Sequence, residues 1–260
     1  MKEVVVKYVA RKPKLDRPIF IEGLPGIGNV GKLAAQHLIE ELNAKKFVEI
    51  YCKDFPPQVF INRDGTIKLV NNELYYWKAR KKGQRDLIIL TGDYQGLSSE
   101  GQYELSDTIL NIVEALGVKQ IFTLGGYGLG REIEKPRVLG AATSRNLVKK
   151  LKKYDVVFRE NEPGGGIIGA SGLLIGLGKL RGIEGVCFMG ETPGYLVDPK
   201  SAEAVLRVLT KILDINISFN ELQRKAEEIE YIACLLYTSD AADDMQCVDL
   251  GGCCIIKKKK

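Results

Sequence analysis

One stretch near the amino terminus, from Ile19 to Leu42, constrains the fold more than any other part of the sequence. It begins with the apolar run Ile19-Phe20-Ile21, continues through a glycine-rich turn and ends in residues with helical spacing. Many α/β domains contain this order of strand, turn and helix, because glycine lets the backbone turn tightly and approach a phosphate or a neighbouring element. The glycines of this turn are Gly26, Gly28 and Gly31.

The glycine turn has two interpretations. Its spacing matches a dinucleotide-binding pattern, Lys32 adds a cation near the helix start, and Glu49 is spaced like the acidic residue that contacts ribose. However, no hydride-transfer partner is evident, and Leu33 stands where a phosphate-binding loop needs serine or threonine. We therefore expect a closely packed joint and no cofactor. The alternative is a nucleotide-binding or hydrolytic/ligase-type α/β enzyme that uses Gly26–Gly31 and Lys32.

Apolar runs alternate with helical patterns along the chain. Leu87 to Thr91 is continuously apolar, which is typical of a strand buried on both faces of a parallel sheet. Two short runs flank Asn62-Arg63-Asp64-Gly65, and this Asp-Gly turn predicts an inserted β-meander. Helical patterns include the stretch from Ala141 to Lys153. The alternation predicts an α/β domain over residues 1–217 with a mostly parallel central sheet.

No catalytic or metal-binding group is evident. His37 is the only histidine, and no two cysteines have the CxxC spacing of a zinc site. Ser171 misses the GxSxG nucleophile pattern because Leu173 occupies the last position. Asp93 and Glu191 follow apparent strands and are the carboxylates to consider for acid–base chemistry, although turn-forming and capping roles explain both. We expect no catalytic residue and no metal.

Two classes of partner are not expected from the composition. No apolar run approaches the roughly 18 to 20 residues that span a bilayer, and the amino terminus lacks a signal-peptide core. We therefore expect a cytoplasmic protein without membrane contact. The net charge of +5 arises from interspersed residues, and the basic clusters Arg80–Lys82 and Lys149–Lys153 have no interleaved aromatic residues. Nucleic acid is therefore not an expected partner.

Residues 218–233 predict a carboxyl-terminal helix with heptad spacing. Its apolar positions recur at intervals of three and four residues, at Phe219, Leu222, Ala226, Ile229 and Ala233. So short a heptad pattern does not form a coiled coil by itself, so we expect this face to bind another chain or to begin a longer arm. The alternative is an amphipathic helix that packs on its own domain.

The character of the sequence changes after Ala233. Residues 234–260 are rich in cysteine and end in the lysine run from Lys257 to Lys260. The segment resembles translated sequencing-adapter read-through, and we expect it not to be native. A disordered natural tail is the alternative.

Several separate stretches carry a family resemblance. They are Glu22 to Ala35, Phe55-Pro56-Pro57, Leu90 to Asp93, Leu124 to Tyr127, and Gly169 to Leu174. In content and order they resemble archaeal members of the proteasome assembly chaperone 2 family, over most of residues 1–217.

This resemblance implies a Rossmann-like three-layer core without an established catalytic centre. It also implies an ATP-independent assembly chaperone that forms a homo-oligomer and binds proteasome subunits, with α-type subunits expected. Family members that engage the proteasome can use a carboxyl-terminal hydrophobic-tyrosine-any motif. Here Leu236-Tyr237-Thr238 is internal, and Glu230-Tyr231-Ile232 has a charge in the hydrophobic place. We therefore expect the chain as written to lack this anchor.

Overall fold

A computed structural model of the chain describes residues 3–158, 166–229 and 231. The residues up to Ala226 form one compact unit, and a second unit begins at Glu227. The strands are β1 (Val4–Tyr8), β2 (Ile19–Glu22), β3 (Lys45–Cys52), β4 (Val59–Ile61), β5 (Ile67–Leu69), β6 (Asn72–Trp77), β7 (Leu87–Gly92), β8 (Gln120–Gly128), β9 (Val138–Ala142), β10 (Val156–Val157) and β11 (Glu184–Thr192).

Six α-helices lie within the described ranges. They are α1 (Val30–Leu42), α2 (Ser99–Glu114), α3 (Arg145–Leu151), α4 (Ala170–Leu180), α5 (Pro199–Leu213) and α6 (220–229). None of the helices in this part of the chain is both long and apolar enough to cross a membrane.

The α/β prediction is confirmed, and the main sheet has nine strands in the order β1-β3-β6-β7-β2-β8-β11-β9-β10. The four central strands, β7, β2, β8 and β11, are parallel to one another. On one side β1, β3 and β6 add antiparallel pairings, and on the other side β9 pairs antiparallel with β11. The sheet is therefore mixed, and the predicted parallel arrangement is limited mainly to its centre.

Helices cover both faces of the central strands. Side chains alternate between the faces along each strand, so Ile21 packs with α1 and α5 whereas its neighbour Phe20 packs with α2 and α4. Both side chains are fully buried, as are those of β7 from Leu87 to Leu90. Burial on two faces explains why these strands are almost continuously apolar in sequence.

The structure differs from the sequence prediction at the stretch from Ala141 to Lys153. We predicted one helix there, but β9 continues to Ala142 and α3 begins only at Arg145. The pairing of β9 with β11 holds the first residues in extended conformation. Ser144 then caps α3, because its hydroxyl accepts a hydrogen bond of 3.3 Å from the Leu147 N–H.

The predicted meander is split between two sheets. β4 and β5 form a separate two-stranded hairpin, while β6 joins the main sheet between β3 and β7. As a result, β6 and β7 separate β3 from β2 in the main sheet. In the dinucleotide-binding arrangement, the strand after the first helix lies directly beside the first strand.

The glycine turn brings α1 unusually close to the sheet. A Cβ atom at Gly31 would lie 2.1 Å from the Leu124 carbonyl oxygen of β8, and one at Gly23 would lie 2.2 Å from the Gly31 carbonyl oxygen. Gly28 has a positive φ of 60°, which glycine adopts without strain. The turn is therefore a closely packed joint, and α1 begins at Val30, earlier than the predicted Leu33.

We predict that Gly31→Ala destabilises the protein by at least about 2 kcal/mol. The added methyl group meets the backbone of Leu124, which cannot move aside as a flexible side chain can, and this overpacking outweighs the roughly 1 kcal/mol that alanine gains in a helix. Urea unfolding measures the difference. Gly26→Ala is the matched control, because the nearest atom to its Cβ is 3.8 Å away and its φ of −166° is ordinary extended backbone. Equal stability of the two variants would contradict the packing argument.

Candidate functional site

A cavity of about 770 Å³ lies at the carboxyl ends of the four parallel strands. Its walls come from the loop after β2, the loop after β7, the end of β8, two side chains of β11 and the segment that leads into α4. The chain enters α1 on one face of the sheet and α2 on the other, so the loops after β2 and β7 diverge. Such divergence leaves a crevice between neighbouring strands, which is where α/β proteins commonly hold ligands.

A buried carboxyl group lies behind this cavity. Glu22, the last residue of β2, is fully buried, and its Oε1 accepts a hydrogen bond of 2.9 Å from the Leu24 N–H. Its Oε2 accepts a hydrogen bond of 2.8 Å from the hydroxyl of Ser171, which lines the cavity in the first turn of α4. Burial raises the pKa of Glu22 from 4.5 to about 7, although both hydrogen bonds favour the ionised form.

Ser171 and Glu22 belong to a longer chain of polar groups. The Thr123 hydroxyl donates a hydrogen bond of 3.1 Å to the Ser171 carbonyl oxygen, and it is also hydrogen-bonded to the Cys187 thiol. Burial, with a smaller contribution from the nearby Glu22, raises the pKa of Cys187 to about 12. The thiol is therefore neutral at physiological pH, which makes it a poor nucleophile.

Gln95 fixes the shape of the cavity by joining two of its walls. Its Nε2 donates a hydrogen bond of 2.6 Å to the Pro25 carbonyl oxygen in the loop after β2. Its Oε1 accepts a hydrogen bond of 2.9 Å from the Ala170 N–H, the first residue of α4. One amide thus connects the β2, β7 and α4 segments, and it occupies the first N–H group of the helix.

Ser171 and His37 do not form a nucleophile–base pair. His37 lies on α1 and is 3% exposed, with its Nε2 2.7 Å from the Ser218 carbonyl oxygen. Because a carbonyl oxygen only accepts, Nε2 carries the proton. The imidazole also stacks on Phe219, with ring centroids 6.2 Å apart. His37 therefore anchors the segment before α6, and Ser171 has a carboxyl group rather than an imidazole as its partner.

The other candidate carboxylates have structural partners. Glu191 accepts hydrogen bonds of 2.9 Å from the Arg137 guanidinium, which lowers the pKa of the carboxyl below its usual range. Asp93 accepts a hydrogen bond of 3.1 Å from the Asn71 N–H and lies 3.6 Å from the Lys68 ammonium group. Each carboxylate thus joins the end of a strand to a neighbouring segment.

Glu49 is remote from the glycine turn because β3 does not adjoin β2. Its carboxylate accepts hydrogen bonds of 2.9 Å from Lys46 and 3.0 Å from Tyr51. The Lys46 contact is the main reason that the pKa of Glu49 falls to about 2. The structure therefore does not bring Glu49 to the position of a ribose-binding acid beside Gly26, Gly28, Gly31 and Lys32.

The predicted partner-binding residues fall into two groups, one in the compact unit and one beyond it. Leu222 and Ala226 are buried against the compact unit, with exposed fractions of 1% and 7%, and Phe219 is partly buried with the Arg207 guanidinium 4.3 Å from its ring centroid. The first part of the heptad face thus packs on its own domain. Ile229 belongs to the second unit, and Ala233, like the tail 234–260, lies outside the described residues.

Sequence reasoning did not single out Glu22 or Gln95 as site residues. A signal for Glu22 exists, because an acidic residue ends the apolar run Ile19-Phe20-Ile21 directly before the glycine turn. No comparable signal exists for Gln95. Its two partners, the Pro25 carbonyl oxygen and the Ala170 N–H, are 70 and 75 residues away from it in the chain.

Comparison with known families places this fold. Residues 20–234 match the PAC2 family. The chain belongs to the PAC2 family. It is 46% identical over 230 residues to the protein MJ1210 of Methanocaldococcus jannaschii, with 87% of each chain covered. Among solved structures, it is similar to PbaB of Pyrococcus furiosus, described as an archaeal proteasome activator, with 45% identity, a TM-score of 0.87, and coverage of 91% of this chain and 100% of PbaB.

A second Pyrococcus furiosus structure is also similar to this PAC2 family member. It is PbaA, described as an archaeal homolog of proteasome-assembly chaperone, with 28% identity and a TM-score of 0.74. The alignment covers 92% of this chain and 95% of PbaA. The family resemblance carried by the glycine turn and the other short stretches is thereby confirmed.

We predict that Glu22 makes the protein less stable as the pH rises from about 4.5 to 7. The native state holds the Glu22 proton more tightly than the unfolded chain does, so the stability from this group is complete below pH 4.5 and is lost as the pH passes 7. The pKa difference corresponds to about 3 kcal/mol.

Urea unfolding at pH 5 and pH 8 tests this prediction with Glu22→Gln as the control. Glutamine has nearly the same shape but does not titrate, so the variant should lose most of this pH-dependent difference. The carboxylates whose pKa values are lowered, such as Glu49, titrate below this range. Parallel pH dependence in the two proteins would contradict a protonated Glu22.

Proposed function

We propose that this protein is an ATP-independent proteasome assembly chaperone that binds proteasome subunits, of α type, as a homo-oligomer in the cytoplasm. The observation that carries the proposal is the similarity to PbaB and PbaA over nearly the whole chain. Both of those proteins are described by their relation to the proteasome or to its assembly chaperones.

Binding without catalysis agrees with the chemistry of the site. Two of the three glycines that suggested a nucleotide serve close packing, since Gly31 lies against the Leu124 backbone and Gly28 lies against Thr192. The acid–base candidates Asp93 and Glu191 have structural partners. We therefore propose a Rossmann-like core whose sheet and helices serve as a rigid platform for protein contacts, without an enzymatic reaction.

The carboxyl-terminal helix is one proposed contact with the proteasome. Leu222 and Ala226 are buried within the compact unit, so the first part of α6 is held by its own domain. The later apolar positions of the heptad, Ile229 and Ala233, are the proposed partner-binding residues. In this arrangement the first half of the helix provides rigidity and the second half provides recognition.

Activation of assembled proteasomes is the second candidate function. The specific observation in its favour is the identity of 45% to PbaB, the archaeal proteasome activator, compared with 28% to PbaA. The two functions differ in the target, because a chaperone binds free subunits or partial rings whereas an activator binds the finished particle.

We predict that the full chain, immobilised, captures purified archaeal proteasome α subunits, and that added ATP or its removal does not change the amount. Capture is measured on separated α subunits, β subunits and assembled particles. Preference for α subunits supports a chaperone, whereas preference for assembled particles together with faster peptide hydrolysis supports an activator. Capture of none of the three would contradict both functions.

Specific nucleotide binding in calorimetry, lost in Gly28→Val, would favour the enzyme alternative.

We predict that Ile229→Asp weakens this capture at least tenfold, because a charge in an apolar contact leaves a buried group without a partner. Leu180→Asp is the matched control, since Leu180 is an exposed aliphatic residue at the end of α4. Capture is compared at equal protein concentration after circular dichroism has shown equal folding. Equal capture by the two variants would remove Ile229 from the proposed contact.

A further inference from the structure

Strand β8 extends past its neighbour β2 at the cavity. β2 leaves the sheet at Glu22, which pairs with Thr123, whereas β8 continues to Gly128 and stays paired with β11 over its whole length. The side of β8 that faces β2 is therefore without a strand neighbour from Leu124 to Gly128. All five of these residues line the cavity, and the last four are partly or fully exposed.

The Gly126 backbone faces the place that β2 leaves. Along a strand, the N–H and C=O groups of one residue point to one neighbouring strand, and those of the next residue point to the other. The Leu129 N–H donates a hydrogen bond of 2.9 Å to the Thr192 carbonyl oxygen of β11. At the other end, the Lys119 carbonyl oxygen accepts one of 3.1 Å from the Glu184 N–H. Odd-numbered residues of β8 thus face β11, and Gly126 directs its N–H and C=O groups to the opposite side.

Glycine keeps the cavity side of this strand end free of side chains. A Cβ atom at Gly125 would have the Met189 Cγ as its nearest neighbour, 3.9 Å away, so a side chain there would enter the cavity. A Cβ atom at Gly126 would instead lie 2.3 Å from the Ile27 carbonyl oxygen. The loop after β2 therefore packs on one face of β8, and the other face borders the free volume.

The composition of the walls selects against charged ligands. In the described part of the chain, no charged side chain lines the cavity. Helix α4 begins at the cavity, but its first N–H, that of Ala170, is bonded to the Gln95 side chain and is not offered to an anion. The Ser171 hydroxyl donates its proton to Glu22, so it faces the cavity as a hydrogen-bond acceptor.

We propose that this cavity binds an uncharged cyclic amide with apolar substituents. In a six-membered cyclic amide the N–H and C=O groups lie on one edge of the ring, so this edge can pair with the C=O and N–H groups of Gly126. A further N–H of such a ring finds an acceptor in Ser171. Apolar substituents replace water against Leu24, Leu124 and Met189. The inference goes beyond the proposed function and does not depend on it.

The size of the cavity agrees with this class of ligand. Its volume of about 770 Å³ lies within the range of roughly 300 to 1,000 Å³ that is usual for small-molecule sites. The Gln95 amide joins the loop after β2 to α4, so two of the walls are held together without a ligand. A site with walls that are already in place loses little conformational entropy on binding.

The test is the binding of the cyclic dipeptide of leucine to the full chain, measured by titration with ligand-observed NMR. This compound is a six-membered ring with two amide edges and two apolar side chains. A ligand of this size should bind with a Kd of about 1 mM or lower. Its N-methylated form has the same side chains but no N–H donor. It should bind at least about tenfold more weakly, because the Gly126 carbonyl oxygen then loses its partner.

Linear leucyl-leucine is the control for charge. It has the same two side chains but carries a charge at each end, so its binding should also be at least about tenfold weaker than that of the cyclic dipeptide. No detectable binding of the cyclic dipeptide at millimolar concentration would overturn the proposal. Equal binding of the N-methylated form or of the linear form would do the same.

Gly125→Leu and Gly125→Ala locate the ligand. The φ angle of Gly125 is not positive, so both side chains suit the backbone. Leucine fills part of the cavity and should weaken binding at least about tenfold, whereas alanine adds one methyl group in open space and should retain binding. Urea unfolding checks that both variants are folded. Unchanged binding by folded Gly125→Leu would overturn the site, and the comparison of ligands on the wild-type protein decides the proposal if this variant does not fold.

Discussion

The close approach of α1 to the central sheet is the constraint on which the rest of the structure depends. Gly31 has no side chain because the Leu124 backbone occupies the place where a Cβ would be. This contact positions the loop after β2 and thereby the wall of the cavity that contains Pro25 and Gly26. A pattern that resembles a phosphate-binding loop is explained here by packing between a helix and a strand.

The same joint accounts for the buried Glu22. A carboxylate in a fully buried position is costly to ionise, and two hydrogen bonds compensate for only part of this cost. The carboxyl group of Glu22 therefore has a pKa of about 7. It accepts a hydrogen bond from Ser171 across the gap between β2 and α4. With Gln95, it connects segments that the chain brings together only in the folded state. The side chains of Glu22, Ser171 and Gln95 at the cavity are thus hydrogen-bonded within the protein.

The carboxyl-terminal helix is the surface for the contact with the proteasome that we propose. In α6, Leu222 and Ala226 pack inward, and the heptad continues through Ile229 into the second unit. In the β4–β5 hairpin, the Lys68 ammonium group lies near the carboxylates of Glu73 and Asp93. Rigid attachment reduces the conformational entropy that is lost when a contact forms, which favours the binding function that we propose.

The sequence by itself determined the α/β class, the central buried strands, the hairpin at Asp64-Gly65 and the family, because apolar periodicity, turn residues and short motifs are local properties. It did not determine the end of β9, which was predicted as helix and became strand through pairing with β11. It also did not reveal Gln95 as the residue that joins the β2, β7 and α4 segments. Only the tertiary structure decided that the glycine turn packs against Leu124, that Glu22 lies buried beside Ser171, and that Glu49 is remote from both. These outcomes depend on the order of strands in the sheet, which joins residues far apart in the chain and leaves no local pattern in the sequence.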